Sequence, residues 1–255
     1  MTQESLSPHG IPPHSALFEY YRTNAERRAF IQEHFDYTAP DYDWISQLFS
    51  FGSGKRYRMT ALKRAGLSEG MKGLDIACGP GTVTQHALKV VGNSGFVVGM
   101  DPSMGMLKEA GSKINTQWTQ GISEHLPFQN ATFDFVCMGY ALRHVSDLIA
   151  AFREHYRVLR PGGVLLILEL SRPRSPIQFR ITKFYIKTLV PLAIRIGTGN
   201  KHAYTLIRYF WDTIENCVPP EQILQAMKKV GFTGENMSQF GGGLIKDYTA
   251  IKPTA

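Results

Sequence analysis

The sequence predicts an α/β domain, a mostly parallel sheet wrapped by helices on both faces. Three observations predict it. From Gly73 onward, short apolar runs alternate with stretches of helical period, the pattern of repeated β-α units. The first apolar run opens into Ala77-Cys-Gly-Pro-Gly81, a loop of small residues followed at once by a helical segment. A chain of 255 residues is long enough for one large domain with additions.

The elements follow in order. Residues 1–14 hold Pro8, Gly10, Pro12 and Pro13 without a basic or apolar leader, so we expect a disordered tail rather than a signal peptide. Residues 15–66 read as an N-terminal helical region that packs over the functional site, with stops at Pro40 and at residues 52–54. The core is expected over 67–255. Its strands fall near 73–77, 96–100, 115–119, 133–138 and 164–170, with helices near 82–91, 103–114, 147–159 and 221–230. Two last strands, near 237–240 and 244–251, pair as a hairpin around three glycines. Between them and the fifth strand the alternation breaks, and about 172–217 reads as an inserted helical lid. On a helix over about 177–190, Arg180, Lys183 and Lys187 share a narrow face, as on a helix lying at an anionic membrane surface; a lid helix with its basic face in water is the alternative.

Composition narrows the function classes. The net charge is +7, yet the cations form no single run and no helix-turn-helix or RNA-binding signature accompanies them. Nucleic acid is therefore not expected as a partner. No run of about 18 uncharged apolar residues is present, so no membrane span is expected. Cys78, Cys137 and Cys217 are odd in number and lack ligand spacing, which fits reduced thiols in the cytoplasm and no bound metal. His86, His125, His155 and His202 read as structural, and Glu154 and Glu169 as scattered carboxylates rather than an acid/base pair.

Four features follow the small-residue loop in chain order. Asp101 ends the second strand, where a carboxylate accepts hydrogen bonds from ribose hydroxyls. Gly121-Ile-Ser-Glu-His-Leu-Pro-Phe128 follows the third strand, where a loop covers an adenine ring. The fourth strand leads through Gly139-Tyr-Ala-Leu-Arg-His144 to the sheet's carboxyl edge. A tight turn at Arg160-Pro-Gly-Gly163 enters the fifth strand. The pattern lacks the third glycine of a dinucleotide loop, because Thr84 stands there, so hydride transfer is disfavoured.

This ordered set resembles class I S-adenosylmethionine-dependent methyltransferases. The resemblance implies a Rossmann-like sheet of seven strands with an antiparallel last strand. A narrower resemblance rests on Asp41-Tyr-Asp-Trp-Ile-Ser-Gln-Leu-Phe-Ser-Phe-Gly52, Ala141-Leu-Arg-His-Val-Ser-Asp147 and Tyr209-Phe-Trp-Asp-Thr-Ile214. These look like the ubiquinone/menaquinone biosynthesis C-methyltransferases, which methylate a ring carbon of a prenylated hydroquinone. The resemblance implies S-adenosyl-L-methionine as cofactor, held by Pro80, Asp101, Ile122, Ser123 and Gly139. Loop and strand-end geometry adds Asp75, Ala77, Gly79, Gly81, Pro102 and Tyr140 to that set, with a purely structural role as the alternative for Asp75. The chain departs from the family where Pro80 replaces Thr, Ile122-Ser123 replaces Asn-Ala, Gly139 replaces Ser and His144 replaces Asn.

Methylating an aromatic carbon needs an electron-rich ring, so the expected catalytic pair is Arg143, stabilising a phenolate, and His144, removing its proton. Arg143 has an alternative partner in Asp147, one helical turn on, and His144 an alternative, structural role in starting that helix. Tyr42, Tyr140 and Tyr209 are expected to border a small hydrophobic or aromatic acceptor, with plain core packing as the alternative. O- or N-methylation of a natural product, or cofactor binding without turnover, remain the other readings. Peripheral contact with an anionic membrane and a homodimer are left open.

Overall fold

The computed structural model describes residues 10–50 and 54–254; residues 1–9 and 51–53 lie outside the described residues, the latter with most of the helix stop expected at 52–54, as do the side chains of 49, 50 and 55. In chain order the elements are α1 (Asn24–Thr38), α2 (Tyr42–Ser50), α3 (Gly54–Arg64), β1 (Lys72–Ile76), α4 (Thr82–Val91), β2 (Phe96–Asp101), α5 (Met104–Lys113), β3 (Gln117–Gln120), β4 (Phe133–Gly139), α6 (Leu148–Val158), β5 (Leu159–Leu170), α7 (Pro176–Phe184), α8 (Val190–Gly197), α9 (Lys201–Glu215), α10 (Pro220–Val230), β6 (Thr233–Phe240) and β7 (Ile245–Ile251).

The strands form one sheet in the order β3-β2-β1-β4-β5-β7-β6. β1 pairs parallel with both β2 and β4, β4 pairs parallel with β5, and β7 runs antiparallel to β5 and β6. This is the expected seven-stranded, mostly parallel sheet. Its central strands are buried on both faces, because successive side chains point to opposite sides and each side has its own helices. Leu74, Ile76, Val136 and Met138 meet Phe152 of α6 and Met227 of α10. Gly73 and Asp75 alternate with them, and Phe135, Cys137 and Leu166 face Leu62 of α3 and Val83 of α4. The strand order reverses between β1 and β4, so their carboxyl ends open a crevice.

The N-terminal helices cap that crevice. Asp36 of α1 accepts from the Ser103 hydroxyl at 2.6 Å and from the Gly105 N–H at 2.8 Å, which ties α1 to the start of α5. A cluster of Ile31, Ile45, Ile194, Leu206, Phe210 and Trp211 packs α1 and α2 against α8 and α9.

Two expectations change. Residues 10–14 of the expected tail are ordered. The Ile11 N–H donates to Asp147 at 3.1 Å, its carbonyl accepts from Leu148 at 2.9 Å, the Pro13 carbonyl accepts from Val218 at 2.8 Å, and His14 is 4% exposed. The lid helix is turned the other way. Lys183 pairs with Glu215 at 2.8 Å and Lys187 with Asp212 at 2.6 Å, both acids on α9. Only Arg180 of the expected basic face is turned to solvent. Facing outward instead are Ile177, Ile181, Phe184, Leu189, Leu192 and Ile196. The helix also widens into a π turn at Tyr185–Leu189, since Pro191 has no N–H to return to the Lys187 carbonyl. The extra residue makes the step from Phe184 to Leu189 five positions long and keeps the apolar residues in line along α7 and α8.

Candidate active site

Backbone geometry comes first. Beyond β1 the chain turns through left-handed Ala77 (φ 53°), Gly79 (φ 56°) and Gly81 (φ 83°) before α4. At Gly81 a Cβ would stand 2.6 Å from Ile114 Cδ1, so that turn accepts only glycine without repacking. Beyond β4, Tyr140 is also left-handed (φ 62°), its N–H donating to the Leu168 carbonyl at 2.6 Å. Two non-glycine residues at positive φ thus stand on adjacent strand ends, where strained backbone marks function.

Asp101 is 7% exposed, and its two oxygens accept from the Gly79 N–H and the Ser103 N–H, both at 2.8 Å. Burial pushes its pKa up to about 6 against the pull of those two donors. Each oxygen keeps a free lone pair for a ribose hydroxyl. Asp75 behaves differently. It is fully buried beneath the loop, accepts from the Thr84 hydroxyl at 2.6 Å, and is pushed up to about 7 by burial. It borders none of the cavities at the crevice, so its place is to tie α4 to β1 rather than to touch a ligand.

Two cavities meet at the crevice. The first lies between α1 and the strand ends and is lined by Ala77, Gly79, Asp101, Pro102, Ile122, Ser123, Gly139, Tyr140 and His144, with Arg27, Phe35 and Tyr42 from the cap. The second is lined by Tyr42, Arg58, Pro80, Thr82, Tyr140, Arg143, Leu170, Phe210, Leu244 and Ile245. Tyr42, Ala77, Gly79, Gly139 and Tyr140 border both, and so form the passage between them. Burial pushes Tyr42 up to about 12, leaving its hydroxyl a donor.

Arg143 is 2% exposed and forms an ion pair with Glu169, not with Asp147. Glu169 also accepts the Arg143 N–H at 3.2 Å and the Leu170 N–H at 2.8 Å. Asp147 instead caps α6, accepting from Ile149 at 2.8 Å. The guanidinium lies 5.1 Å over the Phe210 ring, and its Nε has no partner. His144, beside it, borders only the first cavity. Its Nδ1 is 3.4 Å from the Tyr209 hydroxyl and its Nε2 has no partner. Burial, then the charges of Arg143 and Arg27, hold its pKa well below the ordinary histidine range, so the ring is neutral at physiological pH. Tyr209 corrects an expectation. It is fully buried among Tyr20, Tyr21 and Phe30, stacks on His144 at 5.5 Å and borders neither cavity.

The residues present fit S-adenosyl-L-methionine: a bare loop at Ala77 and Gly79, a carboxylate for the ribose at Asp101, and a walled slot at Pro102, Ile122 and Ser123 for the adenine. The model of the ubiE/COQ5 methyltransferase family matches residues 22–252. The chain belongs to that family. It is 33% identical over 239 residues to the demethylmenaquinone methyltransferase of Lactococcus lactis, covering 91% of this chain and 92% of that one. It is 30% identical over 233 residues to the protein of the same name from Staphylococcus saprophyticus, covering 90% and 99%. Among solved structures, a SAM-dependent methyltransferase of Thermotoga maritima shares the fold with a TM-score of 0.60 at 20% identity, covering 87% of this chain and 99% of that one. Phosphoethanolamine N-methyltransferase 2 of Haemonchus contortus, solved with S-adenosyl-L-methionine, shares it with a TM-score of 0.56 at 19% identity, covering 78% and 53%.

This methyltransferase therefore uses S-adenosyl-L-methionine as its methyl donor. Among its described residues, no helix is long and apolar enough to cross a membrane. Sequence reasoning missed Glu169, Arg58, Arg27, Asp36 and Phe210, which reach the crevice from elements distant in the chain. Only Glu169, ending the fifth strand at the same edge as Asp101, offered a positional signal.

Proposed function

We propose that the methyl acceptor is a ring carbon of a prenylated hydroquinone of the menaquinone or ubiquinone type, bound in the second cavity. The observation that carries this reading is the make-up of that cavity: Leu170, Phe210, Leu244 and Ile245 are apolar, and Arg143 brings one buried guanidinium with a free Nε. An apolar wall suits the prenylated ring, and the Nε suits its oxygen. S-adenosyl-L-methionine, when bound, supplies a methyl group already activated on a sulfonium for in-line displacement. Tyr42, Gly139 and Tyr140 frame the passage through which that methyl reaches the ring.

Arg143 stabilises the phenolate, which raises electron density at the ring carbon. Glu169 holds the guanidinium in place and is a positioning residue. His144 is a weaker candidate for the base, because imidazolium beside Arg143 and Arg27 is disfavoured; in this reading it shapes the loop and the phenolic proton leaves to solvent. The test is an assay with a reduced prenyl naphthoquinol lacking the ring methyl, followed by mass spectrometry for one added methylene. Arg143→Met is expected to lower kcat about 10²–10³-fold, and His144→Asn to stay within about tenfold. A parent enzyme that methylates the ring oxygen and never the carbon would overturn the reading.

We also propose that the outward apolar row on α7 and α8 rests on an anionic bilayer. Ile177 is 70% exposed and Ile196 78%, and the exposed cations Arg172, Arg174, Arg180 and Arg195 lie along the same segment. Apolar side chains flanked by cations complement acyl chains beneath anionic headgroups. Ile181→Glu with Leu192→Glu should abolish co-sedimentation with phosphatidylglycerol vesicles. A parent protein that leaves the vesicles unbound and sediments as a dimer would assign the row to a second copy of the chain.

A further inference from the structure

Arg58 on α3 is a buried cation in search of an anion. It is 8% exposed, and its Nε has no partner. One terminal nitrogen reaches the Ser46 hydroxyl at 3.5 Å, and the guanidinium lies 5.2 Å over the Tyr140 ring. Arg143 has Glu169 and Arg157 has Glu154, whereas Arg27, buried like Arg58 and without a carboxylate, donates to the Arg143 carbonyl at 3.2 Å. Among the described residues no carboxylate pairs with Arg58. An uncompensated buried charge is costly, which favours an anion bound at Arg58.

A second observation points to the same spot. Arg58 shares the cavity wall with Pro80 and Thr82, at the start of α4. The N-cap of α4 is Gly81, which offers no side chain to its first N–H groups. Uncapped helix N–H groups favour negative charge. Gly79 and Tyr140, beside Arg58 in this cavity, also border the cavity of Asp101. An anion held here is therefore within the same continuous crevice as the ribose carboxylate.

We propose that Arg58, with the first turn of α4, binds the α-carboxylate of the cofactor's methionine part. The assignment rests on the S-adenosyl-L-methionine reading and is independent of the identity of the acceptor. It divides recognition in two. Asp101, Ile122 and Ser123 take the adenosine, and Arg58 takes the amino-acid end, orienting the sulfur toward the passage at Tyr140.

Calorimetry with two probes tests it. S-Adenosylhomocysteine carries the carboxylate, whereas 5′-methylthioadenosine has the same nucleoside and thioether without the amino-acid part. Arg58→Met is expected to weaken S-adenosylhomocysteine binding about 10–100-fold, as for a lost charge-assisted hydrogen bond, and to leave 5′-methylthioadenosine unchanged. Arg58→Lys should recover part of the loss. The ligand-free Tm of Arg58→Met should hold or rise, because an unpaired buried charge is removed. Equal loss for both probes, or no loss for S-adenosylhomocysteine, would overturn the proposal. Failure of the parent to bind either probe would instead strike the cofactor reading.

Discussion

Replacing Glu169 by Gln isolates the charge of the buried pair with Arg143. The amide oxygen can still accept from the backbone N–H groups of Arg143 and Leu170, so the change removes charge more than hydrogen bonding. Both side chains of the pair are 2% exposed, so little solvent reaches the guanidinium left behind. Breaking such a pair from one side costs about 3–5 kcal/mol. At roughly 2.1 cal/mol/K per residue, unfolding this chain carries an entropy near 0.5 kcal/mol/K, which converts the loss to a Tm drop of about 6–10 °C. Adding Arg143→Met removes the stranded cation, and the double variant should regain most of the lost Tm while keeping the low kcat of Arg143→Met. Differential scanning calorimetry on the parent and the two variants measures this directly. A double variant no more stable than Glu169→Gln would refute the argument, since the cost would then lie in packing or backbone hydrogen bonds and not in an uncompensated charge.

Two further outcomes follow from the site. Ribose hydroxyls bind the ionised form of Asp101, whose pKa burial raises to about 6; affinity for S-adenosylhomocysteine should be flat near pH 7.5 and fall toward tenfold per unit below about pH 6. Calorimetry giving a constant Kd from pH 5 to 7.5 would remove Asp101's charge from recognition. Gly139→Ser, which restores the family's usual residue, sets a Cβ 2.9 Å from Val83 Cγ2 and should cost about 1–3 kcal/mol. Combining it with Val83→Ala should cost less than the two changes added, and strict additivity in thermal denaturation would show that Val83 is not the obstacle.

The β-α alternation, the small-residue loop and Asp101 were legible because each is local: a period of two or 3.6, a run of residues without bulk, a carboxylate at a strand end. Their order along the chain then carries the topology, since parallel strands joined by helices leave few ways to fold. Arg143 was legible by position, at the end of a central strand. Its partner was not. Asp147 stands four residues away and Glu169 twenty-six, and only the pairing of β4 with β5 brings the second close while the first is spent capping α6.

The lid helix marks the same boundary most clearly. Periodicity revealed two faces, one with Arg180, Lys183 and Lys187 and one apolar, and periodicity has no means of saying which face is covered. α9 decided it by presenting Asp212 and Glu215, which draw Lys187 and Lys183 inward and leave Ile177, Ile181 and Phe184 outside. Arg58 belongs to this class as well. In the sequence it is one cation among the twenty-eight lysines and arginines, and only burial beside an uncapped helix start makes it a group that needs an anion. Local order dictates elements and their succession; which charge meets which is an energy of close approach in a low-dielectric interior, and that exists only once distant segments are packed together.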